Sequence, residues 1–477
     1  MSETSQIPNG IREPEDVTVF TDPIDLVAYA RDTSVVSAGN PKAVARPNNL
    51  HGLQAVIKQA NTSNSPLHKP LYVRGAGSMY AGGVNPHAGG LVLDTTGLNE
   101  IVDINLERGI VVVEPGVLFG ELLKTLKPFG VTVGIVPMTG PAATIGGAAS
   151  SHALGTGSAR HQSFADEVVG LEVVLADGSV VRTGSAAAEQ AGFFARHAFG
   201  PDLTGLFLGA DATMGVISKL ALWLHPLPEE QQTICLGFDA VEDAAACIAA
   251  LQAQEELGDV WYASVYDTQA INGRMAAALA SNLTDKPADS WSKFAIGLDF
   301  GGKANRLTQS IQRVREISET FGAVDFPEFS DFFYRKLRYD ETFWYSFAGY
   351  FTRSRCGLLM TSLPTDRLPV FYNVINDMRD LFPDFMWAPG AILCRRGLHG
   401  GVIAFYDEQK QWEAMQRALA ACADELLKSG CVPYKSGKIW AEQLSALGPH
   451  HDLLKRLKSA VDPTGILAPG NLGLNSE

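Results

Sequence analysis

Basic residues are in short supply. Lys and Arg total 38 against 52 Asp and Glu, a net charge of −14 at pH 7. That balance excludes a nucleic-acid or anionic-membrane partner, which would favour a basic face. Cysteine is sparse too. The six (Cys235, Cys247, Cys356, Cys394, Cys422 and Cys431) are scattered, with no C-x-x-C. This pattern excludes a disulfide frame and a zinc motif, and suits reduced thiols in a cytoplasmic protein. No apolar run reaches the roughly 18–20 residues of a membrane span. The opening MSETSQIPNG has neither a basic stretch nor an apolar core, so it reads as no secretory signal. Repeats and low-complexity tracts are lacking as well. With 477 residues the chain is too long for one core, so at least two domains are expected.

Glycine is what stands out. Leu71 to Gly83 read LYVRGAGSMYAGG. A short β-rich run, Leu71-Tyr72-Val73, breaks into Gly75-Ala76-Gly77-Ser78. Without Cβ atoms, successive backbone N–H groups can approach one anion such as a phosphate. The dinucleotide fingerprint G-x-G-x-x-G is absent, because Tyr80 stands at its third glycine. Ala81 to Pro86 cannot open a good helix, so this is not a Rossmann loop. About 60 residues later comes a second side-chain-poor stretch, Pro137 to Ser151. After its prolines it reads as a helix start of small residues, open to an anion or a flat ring. Gly155 and Gly157 extend it.

Along the chain, Asp22 and Asn49 are placed to cap helices, the first with Ile24, Val27 and Ala28 on one face. Ala43–Pro47, 91–94, 101–105 and 110–113 read as strands. Val117–Leu126 reads as a helix with Leu118, Leu122 and Leu126 on one stripe. Val168–Leu175 and Val180–Thr183 form a strand pair about the Asp177-Gly178 turn, and Val216–Leu224 reads as a buried strand. Pro226-Leu227-Pro228 closes this region. Beyond it come longer helices, Ala240–Glu256, Ala304–Phe321, Asp366–Leu381 and Glu408–Ser429. Strands Val260–Tyr266, Phe294–Phe300, Ala391–Arg396 and Val402–Tyr406 lie between them. Residues 333–353 hold nine Phe, Tyr or Trp, which read as core or as an aromatic pocket lining.

Two glycine-rich loops plus a turn-rich VDPTGILAPG tail resemble the flavin-binding family of p-cresol methylhydroxylase and vanillyl-alcohol oxidase. The matching pieces include ARPNN, VRGAGS, GLVLDTTGLNEIVDIN, VVVEPGV, ATIGG and PDLTGLFLGADATMGVISK. DPIDLVAYARD and GLEVVLADG are also similar to the glycolate oxidase flavin subunit and D-lactate dehydrogenases. The resemblance implies an α+β fold: a two-subdomain FAD-binding domain of the p-cresol methylhydroxylase type with an α+β cap (substrate) domain. The implied boundaries are 1–228 for the FAD-binding domain, 229–430 for the cap and 431–477 for the return to the first domain.

For the cofactor, the resemblance implies that Arg74, Gly75, Ala76, Gly77, Ser78 and Met79 hold the FAD pyrophosphate. Pro137, Met138, Thr139, Gly140, Thr144, Gly146 and Gly147 would line pyrophosphate and flavin. Ser150, His152 and Gly155 would lie near the ribityl or adenine parts, and Val216 and Ile217 near the adenosine half. Relatives that bond FAD covalently use a His after the first loop; here that residue is Ser78. Cys356 stands nearest the cap position used for such a link, and non-covalent FAD is expected. Tyr80, Tyr434 and Lys435 match the groups that anchor a phenolate, with Lys for Arg. The Asp expected near the flavin is replaced by Met138. The metal-binding H-x-G-D-G-N and E-H-G motifs of the 2-hydroxy-acid enzymes are absent, so no metal is expected. His399 is isolated, and His450-His451 read as exposed. Arg353, Arg355, Arg395 and Arg396 are weaker candidates for a carboxylate clamp.

The expectation is an FAD-dependent oxidoreductase taking a hydride from a substrate carbon, with a para-substituted phenol or aromatic alcohol as substrate. O₂ or an electron-acceptor protein would be its partner, and a homo-oligomer is compatible with the reading. The alternatives are a D-2-hydroxy-acid dehydrogenase and a flavin-binding subunit without its own turnover.

Overall fold

The computed structural model describes residues 16–62, 70–86, 89–197, 199–254, 258–268, 291–327 and 355–474. The aromatic run at 333–353 and Arg353 lie outside the described residues.

The first sheet runs β1-β2-β4-β3, from Val17–Phe20 (β1), Ala43–Pro47 (β2), Leu71–Arg74 (β3) and Leu91–Asp94 (β4). β4 is parallel to both β2 and β3. The crossover between β2 and β3 carries the helix Leu50–Ala60, whose Leu53, Val56, Ile57 and Ala60 are buried. That spacing of three and four is one helix face. Asn49 starts the helix by accepting from the Gly52 N–H at 2.9 Å, a cap worth about 1 kcal/mol. Asp22 likewise caps Pro23–Val27. That helix buries nothing, and Ile24 and Val27 are exposed.

The second sheet comprises Ile101–Asn105 (β5), Ile110–Val113 (β6), Val131–Val133 (β7), Val168–Val174 (β10), Val180–Arg182 (β11) and Val216–Pro226 (β12). Its order is β11-β10-β12-β6-β5, with β7 also on β12. Two short strands, Val136–Pro137 (β8) and Gly155–Thr156 (β9), pair with each other. β10 is buried along its whole length, as its unbroken VVGLEVV implies. The helix Phe119–Leu126 packs Phe119, Leu122 and Leu126 inward. Leu118, expected on that stripe, is its N-cap and is exposed, so the buried face is turned by one residue.

The third sheet has eight antiparallel strands: Glu230–Phe238 (β13), Val260–Asp267 (β14), Phe294–Gly302 (β15), Val324–Asp325 (β16), Arg355–Leu363 (β17), Met386–Leu393 (β18), Leu398–Tyr406 (β19) and Val432–Tyr434 (β20). Their order is β16-β13-β15-β14-β18-β19-β17-β20. β18 begins earlier than expected and ends at Leu393. Arg395 and Arg396 therefore fall in the exposed turn before β19. The helices Val241–Gln252, Ala304–Glu319, Leu368–Leu381 and Glu408–Lys428 share one apolar core with this sheet.

After β20 the chain returns to the first sheet. Leu71 N–H donates to Ile466 O and Ala468 N–H to Leu71 O, both at 2.7 Å. Asp462 shapes that return by accepting from the N–H groups of Ile466 at 3.1 Å and Leu467 at 2.8 Å. The buried Lys458 ammonium donates to Asp462, to Thr213 O and to Leu467 O. These bonds explain why the DPTGILAPG stretch is turn-rich.

Candidate functional site: a cavity between two glycine loops and a sheet

β3 delivers the chain into the first glycine loop at Gly75. A Cβ there would lie 2.2 Å from Thr144 Oγ1, so only glycine lets the two loops meet. Gly77 has φ +68, and a Cβ on it would strike the Arg74 guanidinium at 2.2 Å. Among the described residues, no group of the chain accepts from the backbone N–H of Ala76, Gly77 or Ser78.

Across from this loop, Thr144 caps the six-residue helix Ile145–Ser150 by accepting from the Gly147 N–H at 3.3 Å. Gly146 packs on Pro115 with no room for a Cβ, and its N–H donates to Pro115 O at 2.8 Å. Small residues are thus required here by close packing.

Between the loops lies a deep cavity. Gly75, Ala76, Gly77, Ser78, Met79 and Tyr80 line it from the first loop. Pro137, Met138, Thr139, Thr144, Gly146, Gly147 and Ser150 line it from the second, and Val216 and Ile217 from the start of β12. The roof is one face of the third sheet. Tyr262, Ser264 and Tyr266 alternate along β14, Cys356, Leu358 and Met360 along β17, and His399, Gly401, Ile403 and Phe405 along β19. The period of two puts these on a single side. Lys435 and Asn471 complete the wall.

Five expected residues are not on this wall. Arg74 is buried beneath the first loop, donating to Arg31 O at 3.1 Å. Gly140 sits in a 3-10 turn leading to Thr144. Gly155 pairs with Pro137, and a Cβ on it would meet Val136 O at 2.0 Å. The His152 ring abuts Gly209, and its carbonyl accepts from the Tyr434 hydroxyl. The Tyr434 hydroxyl is thereby committed to backbone, while its ring lies behind the wall residue His399. His451, read as exposed, is buried, with Nε2 bonded to Leu472 O at 3.0 Å.

Of the site's charges, Lys435 was expected from the sequence and Asp211 was not. Asp211 lines the cavity in the left-handed region, φ +44. Its Oδ2 accepts from the Gly437 N–H at 2.9 Å. Burial raises its pKa to about 7 despite that bond and the nearby Lys435. Burial likewise lowers the Lys435 ammonium to about 8, against the pull of Asp211. His399, thought isolated, stacks its ring 4.1 Å from that of Tyr434. Its Nδ1 is bonded to Ser362 Oγ at 2.6 Å. Burial, with Lys435 and His152 adding to it, lowers His399 to about 4, so it is neutral at pH 7. Burial raises the Cys356 thiol to about 11. Arg355, its neighbour, is paired with Glu408 at 2.7 Å instead. The signal for Asp211 was its place in a motif of small residues, but nothing in sequence joins it to Lys435.

These features fit FAD. The glycine cradle leaves N–H groups for a diphosphate, and the flat apolar roof suits a ring. On the wall, Asn471 donates through Nδ2 to Gly83 O at 2.9 Å and Asp211 O at 3.0 Å, leaving its buried Oδ1 without a partner. That acceptor awaits a ligand donor.

Comparison with known proteins agrees. Residues 41–184 match the family described as FAD binding domain. The probable mitochondrial D-lactate dehydrogenase of Danio rerio is 26% identical over 461 residues, 93% of this chain and 86% of that protein. Glycolate oxidase subunit GlcD of Bacillus subtilis is 30% identical over 223 residues. That match covers 47% of this chain and only 45% of that protein. Among solved structures, p-cresol methylhydroxylase with substrate bound superimposes with a TM-score of 0.81 at 20% identity, covering 96% of this chain and 95% of the other. The 4-ethylphenol oxidase of Gulosibacter chungangensis gives 0.79 at 18% identity, covering 99% of each chain. The protein is a flavoprotein of the FAD-dependent oxidoreductase class. Its fold is that of p-cresol methylhydroxylase, with an FAD-binding domain over residues 41–184. No helix among the described residues is long and apolar enough to cross a membrane.

Proposed function

We propose that the protein oxidises a para-substituted phenol or aromatic alcohol, with non-covalently held FAD. The observation that carries this reading is the composition of the roof. It is apolar and aromatic, and among the described residues no arginine stands on the cavity wall. A ring would bury against Ile403, Phe405, Leu358 and Met360, each apolar side chain being worth about 1.5–3 kcal/mol when fully covered.

FAD held between the two glycine loops would supply the two-electron acceptor for a hydride from the substrate carbon. Lys435, the one Lys or Arg on the described wall, holds the substrate oxygen in its ionised form while the ammonium is protonated. Tyr80, also on the wall, is the second anchor. His399 is neutral, with Nδ1 bonded to Ser362 Oγ, and the burial and nearby Lys435 that keep it neutral make it a hydrogen-bonding group of the wall and not a proton acceptor. The apolar roof residues Leu358, Met360, Ile403 and Phe405 would shield the reacting carbon from water. The Cys356 thiol stays protonated at pH 7, which supports FAD without a covalent link. O₂ or an electron-acceptor protein would remove the electrons. The free cysteines support a cytoplasmic setting.

A D-2-hydroxy acid is the second reading, favoured by the D-lactate dehydrogenase relative that spans 93% of the chain. It would require Lys435 alone to hold the carboxylate. Anaerobic visible spectra decide between them. Bleaching of the bound flavin by a 4-alkylphenol is expected. Bleaching by D-lactate or glycolate alone would overturn the proposal, and bleaching by neither would point to a subunit without turnover.

A further inference from the structure

Away from the flavin cavity, three side chains capable of binding a metal come together: His161, Glu167 and His225. His161 ends the short helix Ser158–His161. Glu167 ends the turn Phe164–Glu167, which Ser163 and Asp166 lock by a reciprocal cap. His225 is the penultimate residue of β12. One ligand atom from each lies within 4.8 Å of the other two. His161 Nδ1 is 3.1 Å from Glu167 Oε1, and His225 Nε2 is 2.6 Å from Glu167 Oε2. Zinc bonds of about 2.0–2.2 Å to nitrogen and oxygen place neighbouring ligands roughly 3.3 Å apart. The His161–Glu167 distance of 3.1 Å is close to that, the His225–Glu167 distance of 2.6 Å is shorter, and all three ligand atoms lie within 4.8 Å, so a small outward shift of His225 would admit the ion.

The surroundings favour a cation. The Glu167 side chain is 7% exposed and that of His161 10%. Gly134 makes room: a Cβ there would meet Glu167 Oε2 at 2.2 Å. The 24% exposure of His225 leaves an entry path for an ion.

We propose that His161, Glu167 and His225 form a binding site for one divalent transition-metal ion of the zinc type. Two imidazoles and one carboxylate with an open position are a set that zinc takes. The site clamps two parts of the fold. The short helix it would pin packs on the third sheet, where Gly157 N–H donates to Trp261 O at 2.7 Å and the His161 ring meets that of Trp261 at 5.8 Å. The ion binds only once both parts are in place, so it stabilises the folded state by mass action.

The test uses the full FAD-loaded chain, freed of metal with a chelator and titrated with ZnCl₂ by calorimetry. One equivalent is expected to bind, with a rise in melting temperature. His225→Ala and Glu167→Gln should weaken binding by roughly tenfold or more, while His450→Ala should leave it unchanged. FAD content of each variant checks its fold. If the variants do not fold, Co²⁺ added to the wild type decides, through visible d–d bands that saturate at one equivalent. No saturable binding by the wild type, or zinc binding undiminished in the folded variants, overturns the proposal.

Discussion

Gly75 and Thr144 touch so closely that a Cβ on the glycine would sit 2.2 Å from the threonine hydroxyl. The two residues belong to separate loops 69 positions apart in sequence (144 − 75). Their contact is what brings both loops to one cavity. Gly75→Ala is therefore expected to push the loops apart and abolish flavin retention. The ratio of flavin to protein absorbance after gel filtration measures this. A yellow Gly75→Ala preparation with full occupancy would refute it. Thr144→Ala removes a helix cap, which should cost about 1 kcal/mol of stability, and also a hydroxyl from the cavity wall.

Lys435 governs the expected pH dependence. With its ammonium at about 8, an anionic substrate oxygen loses its counter-charge as pH rises through that value. The kcat/KM for a phenol should fall on that side, and Lys435→Met should flatten the limb while lowering the plateau about 10- to 100-fold.

Stability should follow the same two groups with opposite signs. From about 8 to 10.5 the unfolded chain binds the Lys435 proton that the folded chain has released, so stability rises with pH there. From 3.8 to about 7 the folded chain keeps the Asp211 proton longer, so stability falls as pH rises. Denaturant midpoints of wild type minus Lys435→Met, taken across pH, isolate the first effect. Wild type minus Asp211→Asn isolates the second.

Tyr434 tests whether position in a motif equals a role. Its hydroxyl donates to His152 O, so Tyr434→Phe should cost about 1 kcal/mol of stability and change KM only a few-fold. Tyr80→Phe, at the wall, should raise KM more. The reverse ranking in steady-state assays would restore Tyr434 as a substrate anchor.

Acid precipitation addresses the flavin linkage. The supernatant should be yellow for wild type and for Cys356→Ala alike, because the thiol is protonated at neutral pH. A yellow wild-type pellet that turns colourless in the variant would identify a thioether.

Much of the framework was legible because it is written locally. Asn49 and Asp22 announce helix starts through side chains that bond two or three residues ahead. The parallel strands of the first sheet are short apolar runs, and the glycine loops carry their own conformational signature. What escaped was whatever depends on distant partners. Asp211 lies in a run of small residues, 224 positions before Lys435 (435 − 211). His399 looked solitary because its neighbours Ser362 and Tyr434 come from other strands. The partner of Tyr434 is hidden for a similar reason: its hydroxyl donates to the His152 carbonyl, on a loop that sequence cannot bring near. His161, Glu167 and His225 span 64 positions with no metal-motif spacing.

The pairing of Leu71 with Ile466 and Ala468 has a consequence for biosynthesis. The strand that opens the first glycine loop is finished by a segment translated nearly 400 residues later, and Asn471 closes the cavity wall beside it. Flavin capture is therefore a late event: the nascent chain must hold a half-built pocket open until those residues clear the ribosome.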